Sequence, residues 1–336
     1  MNILIIQFHQ IGDIILTTPV FKALKKCDEQ CIVDFLTFSE FKSLLIHNPN
    51  INNVYCINRD TGPVNFFKTI CKLNKNDYFA LFDFQNNPRS LYFSLLIKAN
   101  KKVAFSDSRR RFFYNTLYKR EEGYPGEVKL KVIKKFLRSI NIELTMYDFK
   151  PEIFYTNREN KYIKELFKKW GIKNSDFVVT ISPTHKRVTR RWPLNHFLET
   201  AEYLRKEYNA KVIFTCAPDE YDYLKNIDRS CFYVIPALNL LQFTALISKA
   251  HLHIGNDSAP HHIATSMSIP TFIILGATGH NWCYPSDKHN YIRANLSCQP
   301  CHKKYCIYSN NNIPCLNTLT FEKIRDSLNT FISKNI

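Results

Sequence analysis

Two polar turns hold the residue types that could do chemistry. One is Gly255-Asn256-Asp257-Ser258-Ala259, a strand end running into a helix start, followed by His261-His262 and, after Pro270, the apolar strand Thr271–Leu275. A helix N-terminus leaves backbone N–H groups unpaired at the positive end of the helix dipole, so it can seat a phosphate. Asn, Asp and Ser are also preferred N-caps, and that plainer reading stands beside the first. The other turn is Gly12-Asp13. It follows the apolar run Asn2–Ile6 and precedes an expected helix, Ile14–Lys26, with Pro19 in its first turns. Strand-to-helix turns are where α/β sheets place ligands. A single glycine does not make the G-x-G-x-x-G dinucleotide fingerprint, and an aspartate there also serves as an ordinary cap.

Basic and thiol clusters come next. Arg109, Arg110 and Arg111 adjoin Phe112, Phe113 and Tyr114, with Lys119-Arg120 following. Arginine forks bind carboxylate and phosphate bidentately. The net charge of +17 admits nucleic acid, an anionic membrane face or a phosphorylated glycolipid as partners, beside a merely solvated surface. No helix-turn-helix, RNP signature or basic-aromatic repeat supports nucleic acid, and none is expected. Cys298, Cys301, Cys306 and Cys315 are spaced C-x2-C-x4-C-x8-C, close to a metal knuckle, with reduced structural thiols as the alternative. Eleven scattered cysteines do not form a disulfide framework. There is no apolar run long enough to span a bilayer and no signal-peptide pattern, so a cytoplasmic protein is expected.

These residues need a scaffold. Strand-like runs at Ile3–Ile6, Ile32–Leu36, Ala80–Phe84 and Val103–Phe105 alternate with helical stretches such as Phe66–Leu73 and Leu91–Lys98. A second set, Phe177–Ile181, Val212–Thr215 and Thr271–Leu275, alternates with Leu194–Tyr208 and Leu240–Lys249. Such alternation gives parallel sheets covered by helices. Two α/β domains are expected, 1–150 and 151–336, with a linker near 145–160, and Phe321–Ile332 reads as an amphipathic helix.

Six blocks in order resemble the bacterial lipopolysaccharide heptosyltransferases: NILIIQFHQIGDIILTTPVFKALK at the start, FDFQNNPRS at 82–90, ISPTHKRVTRRWPLNHF at 181–197, CAPDE at 216–220, GNDSAPHHIATSMSIPTFIILGAT at 255–278 and CQPCHKKYCIY at 298–308. The resemblance implies the GT-B architecture, two Rossmann-like domains facing across a cleft, with a C-terminal helix that in many such proteins crosses back to the first domain. It implies an inverting, metal-independent glycosyltransferase without cofactor, moving heptose from ADP-heptose to the inner core of lipopolysaccharide. By the same resemblance Asp13 is the general base, and Arg109–Arg111 meet the acceptor or, alternatively, form a membrane-facing loop. Thr184, His185, Lys186, Arg190, Asp257, Ser258, Ala259 and His262 bind the donor diphosphate, and Glu220 takes the ribose hydroxyls. Arg190 stands where the family has lysine, and Ala259 where it usually has glycine. In one related branch, protein heptosyltransferases, a cysteine cluster holds iron; any metal on the four cysteines here is expected to be structural. A peripheral position on the cytoplasmic face of the inner membrane follows from the acceptor. Another nucleotide-activated sugar, or a non-catalytic cation-rich module binding glycolipid or nucleic acid, stays open beside this reading.

Overall fold

In the computed structural model, which describes residues 1–144, 147–235, 238–308 and 312–336, the chain divides into two compact units, Met1–Phe154 and Tyr155–Ile336. Each is built on one six-stranded parallel sheet. The first contains β1 (Asn2–Ile6), β2 (Ile32–Phe38), β3 (Asn53–Ile57), β4 (Tyr78–Asp83), β5 (Ala99–Phe105) and β6 (Thr116–Tyr118), in the order 3-2-1-4-5-6. Its helices are α1 (Ile11–Ile15), α2 (Thr18–Cys27), α3 (Pro63–Leu73), α4 (Pro88–Leu96) and α5 (Pro125–Ser139). The second contains β7 (Val178–Ser182), β8 (Lys211–Phe214), β9 (Tyr233–Val234), β10 (Leu252–Asn256), β11 (Thr271–Ile274) and β12 (His289–Ile292), in the order 12-11-10-7-8-9. Its helices are α6 (Asn157–Trp170), α7 (Leu194–Tyr208), α8 (Leu240–Ile247), α9 (Ala259–Ser266), α10 (Pro314–Asn317) and α11 (Phe321–Asn335).

Parallel strands buried on both faces read as continuous apolar runs, and β1, β7 and β11 do so. Helix starts follow the local chemistry: Asn87 with Ser90, Thr156 with Glu159 and Asn239 with Gln242 form reciprocal capping boxes. Both strand orders reverse at the first strand of the unit. The switch points are therefore β1/β4 and β7/β10, whose carboxyl ends are where doubly wound sheets hold ligands.

One expectation needs correction. The helix anticipated from Ile14 to Lys26 is broken at Leu16-Thr17, where the Thr17 N–H returns to the Ile14 carbonyl and Pro19 opens α2. A continuous helix would have set the proline ring against the carbonyl four residues back. The C-terminal helix stays in the second unit: Ile324, Leu328, Phe331 and Ile332 of α11 join Trp192, Phe197 and Phe272 in one core, with the Phe331 and Phe272 rings 5.8 Å apart. Among the described residues no helix is long and apolar enough to cross a membrane.

Candidate active site

In the first unit Asp13 sits in the short helix α1, just after Gln10, whose φ of 54° is left-handed. The break after α1 releases the Asp13 carbonyl from the helical ladder. Thr17 Oγ1 donates to it at 2.8 Å and Lys129 Nζ at 2.9 Å, and Lys129 also donates to Thr17 Oγ1 at 2.7 Å. Lys129 lies buried on α5. Burial pushes the Asp13 carboxyl above its ordinary value, while the charges of Lys129, His9 and Arg120 pull it back. Burial brings the Lys129 ammonium down to about 8, which leaves it protonated at neutral pH.

The loop leading to Asp13 is held from β4. Gln85 Oε1 accepts the N–H groups of Phe8 and His9 at 3.0 and 2.7 Å, and Gln7 Nε2 at 2.8 Å. Asp83 fixes Gln85 in turn: its Oδ1 accepts the N–H groups of Gln85 and Asn86, and its Oδ2 accepts the Tyr114 hydroxyl at 2.6 Å. One buried carboxylate thus ties the β1 loop, through Gln85, to the arginine segment that Tyr114 ends. Within that segment Arg110 donates to the Asn86 carbonyl at 3.2 Å, Arg109 is exposed, and Arg111 is exposed over the Phe112 ring. Arg59 and Arg89 stack over Phe38, at the carboxyl end of β2, adding cations at that edge.

In the second unit Asn256, the last residue of β10, pins both ends of the basic loop after β7. Its Oδ1 accepts the Trp192 N–H at 2.9 Å and its Nδ2 donates to the Pro183 carbonyl at 2.9 Å. Arg190 Nη1 then stands 3.5 Å from Asp257 Oδ2, while its buried Nε finds no acceptor among the described residues. A guanidinium with one edge on a carboxylate and a buried N–H unspent can take a further anion. Gly276 lets the loop approach, since a Cβ there would collide with the Thr189 carbonyl. His185 Nδ1 accepts the Arg187 N–H at 2.8 Å. Burial, then the Arg190 charge, brings this ring to about 4, so it is neutral with its proton on Nε2. Thr184 is buried beneath the same loop. Lys186 instead points outward and faces Asp219 at 3.4 Å. Glu220 is half-exposed in the 3-10 turn Pro218–Leu224 that follows β8.

At the opening of α9, Ser258 Oγ donates to the Asn256 carbonyl at 3.3 Å, and Ala259 and Pro260 begin the helix. His262 is buried against His261, ring centroids 3.8 Å apart. His261 Nδ1 accepts the Ser258 N–H at 3.3 Å, and Nε2 faces the Trp282 carbonyl at 3.3 Å. Burial holds this ring neutral, so the 3.7 Å approach of Asp257 Oδ1 to Nδ1 is not an ion pair. Asp257, His261 and His262 are the one trio of potential metal ligands within 4.8 Å among the described residues. With both nitrogens of His261 spent on the backbone, that trio does not offer three free ligand atoms. Cys298, Cys301, Cys306 and Cys315 line a common cavity of about 30 Å³, but their sulfurs do not reach the same closeness. Their loop braces the basic loop instead: Thr189 Oγ1 donates to the Lys303 carbonyl at 2.9 Å, and the His302 N–H to the Ala277 carbonyl at 2.8 Å.

Sequence reasoning missed Lys129, Asp83 and Gln85, and it named Asn256 and His261 without giving them a role. Lys129 was readable, because it shares an apolar helical stripe with Val132, Ile133 and Phe136. Nothing in the spacing of Asp83 and Gln85 announces which backbone they would hold.

Two doubly wound domains, each with polar loops at its switch point, make up the GT-B class of glycosyltransferase. The sequence profile of glycosyltransferase family 9 (heptosyltransferase) matches residues 66–311. Lipopolysaccharide heptosyltransferase 3 of Escherichia coli K12 is 27% identical over 299 residues, 83% of each chain. The glycosyl transferase family 9 structure from Veillonella parvula superposes with a TM-score of 0.84 at 18% identity, covering 99% of this chain and 97% of that one. E. coli heptosyltransferase WaaC with ADP-2-deoxy-2-fluoro heptose gives 0.73 at 15% identity, covering 98% and 99%. The chain belongs to glycosyltransferase family 9, the heptosyltransferases.

Proposed function

We propose that this enzyme transfers heptose from ADP-heptose to the inner core of lipopolysaccharide, with inversion and without a metal ion, working as a peripheral protein at the cytoplasmic membrane face. The observation that carries the reading is the anion seat on the second unit: Arg190, held against Asp257, with a buried Nε unspent, beside the opening turn of α9. A diphosphate leaving group gains charge as its bond to the anomeric carbon breaks, and a fixed guanidinium with a helix N-terminus stabilises that charge. Ser258, Ala259, Thr184, His185 and His262 line the same loops, Glu220 takes the ribose, and Lys186 contributes long-range charge rather than contact. The structure solved with an ADP-heptose analogue in E. coli WaaC supports adenosine as the nucleoside. The chemical step is a displacement. An acceptor hydroxyl gives its proton to the Asp13 carboxylate, its oxygen bonds to the anomeric carbon, and ADP departs with the electron pair of the broken bond. Arg109, Arg110 and Arg111 meet the anionic groups of the acceptor.

Turnover of ADP-heptose with a lipopolysaccharide-core acceptor tests this directly; activity with a UDP- or GDP-sugar instead would overturn it. Binding gives a separate readout. ADP at a hundred times its dissociation constant adds about 2.7 kcal/mol of stability, so ADP should raise Tm where UDP, GDP and CMP do not.

Asp13 works as a base only while ionised, so activity falls as pH drops through its pKa. Of the charges that pull that pKa down, the Lys129 ammonium acts most strongly. Lys129→Met is therefore expected to move the acidic limb of kcat/KM to higher pH, by about one unit. An unmoved limb in a folded variant would show that the ammonium serves only the Asp13 and Thr17 oxygens.

A further inference from the structure

Helices α3 and α4 lie side by side, the rings of Phe66 and Phe93 4.5 Å apart. The Asn74 amide joins their ends, donating to the Leu96 carbonyl at 3.0 Å and accepting the Lys98 N–H at 2.7 Å. Both helices turn large apolar side chains away from the core. Helix α4 buries Ser90 and Ser94 around Phe93 while exposing Tyr92, Leu95 and Leu96 by 58, 41 and 44%. Helix α3 buries Ile70 and Leu73 and leaves Val64 and Phe67 exposed by 67 and 56%. Val64, Phe67, Cys71, Lys68, Lys72 and Lys75 line an open groove of about 550 Å³. A water-facing helix face is ordinarily polar, and exposed apolar sets of this kind mark binding surfaces.

The charge carried by the two helices themselves has one sign, with Asp60 and Asp77 flanking α3. Residues 63–76 contain Lys68, Lys72 and Lys75 and no Asp or Glu, and residues 84–106 contain Arg89, Lys98, Lys101 and Lys102 and no Asp or Glu. A protein partner would cover the apolar side chains without requiring so many unopposed cations. An anionic bilayer requires both.

We propose that the α3–α4 face docks the enzyme on an anionic lipid surface, with Val64, Phe67, Leu95 and Leu96 entering the headgroup boundary and the lysines meeting lipid phosphates. This rests on the reading that the acceptor is a glycolipid, and it places membrane contact on these helices rather than on the Arg109–Arg111 segment. Each lysine near such a surface contributes roughly fivefold in affinity.

The test is co-sedimentation of the full chain with vesicles of phosphatidylethanolamine and phosphatidylglycerol, against phosphatidylcholine alone. The wild type should bind the anionic vesicles at least tenfold more tightly. Val64→Ser/Phe67→Ser and Lys68→Glu/Lys72→Glu should each lose tenfold or more, while Arg109→Ala/Arg110→Ala/Arg111→Ala keeps most of the binding. Both α3 variants should retain the ADP-induced rise in Tm, which shows them folded, and wild-type turnover of a lipid-free core oligosaccharide. Anionic-vesicle binding unchanged in the α3 variants, or lost only in the arginine variant, overturns the proposal. So does a concentration-dependent dimer that Val64→Ser/Phe67→Ser abolishes. Failure of the heptosyl reading is separate: the wild type would then not turn over the lipid-free acceptor, whatever its vesicle binding.

Discussion

Asp13→Asn is expected to lower kcat by roughly 10²- to 10⁴-fold and to leave ADP affinity unchanged. The substitution keeps the shape of the side chain and removes its capacity to accept a proton. The backbone that presents it is fixed independently of the carboxylate, since Thr17 and Lys129 hold the Asp13 carbonyl and Gln85 holds the loop before it. A fall in kcat therefore reports lost chemistry rather than a displaced loop. ADP affinity, measured by calorimetry, should be untouched because the residues proposed to bind the nucleotide belong to the other unit. Turnover within a few-fold of wild type would remove Asp13 from the role of base. The pH dependence adds a second check. Burial raises the Asp13 pKa, so the wild-type acidic limb should lie above the range of an ordinary aspartate, and it should vanish with the carboxylate.

How far the sequence led depends on whether a residue acts locally or across the fold. Apolar runs buried on both faces declared β1, β4, β7 and β11, and the polar turns after β1 and β10 lie at the switch points as expected. Short edge strands were not anticipated: β6 has three residues and β9 two, too few for a period to register. The chemistry divides in the same way. Asp13, Arg190 and Asp257 stand in ordered motifs and could be picked out singly. The residues that hold them could not, because Gln85 acts on a loop 76 to 78 residues away and Asn256 on one 64 to 73 residues away. Such links form only once the strands pair. The cysteines show a local spacing whose role depends on the loop around it. Their spacing admits a metal knuckle or reduced structural thiols, and the loop they occupy braces Thr189 and Ala277.

That bracing bears on the other large effect, expected from Arg190→Ala: a fall in kcat of roughly 10²- to 10³-fold at saturating donor. The loop carrying Arg190 is fastened at Pro183 and Trp192 by Asn256 and from behind at Thr189, so the guanidinium is set in place before substrate arrives. A fixed charge gives most stabilisation where negative charge develops, which is the bridging oxygen of the departing ADP, and less to the ground-state diphosphate. The loss should therefore fall on kcat more than on KM. Arg190→Lys, the lysine that the family resemblance implies at this position, separates charge from shape. It keeps the cation but loses the fork that engages Asp257 while leaving Nε to a ligand. Its kcat should lie between those of alanine and wild type. An alanine variant that raises KM for ADP-heptose and spares kcat would show that Arg190 only holds the donor. The stabilisation of the leaving group would then have to come from the opening turn of α9.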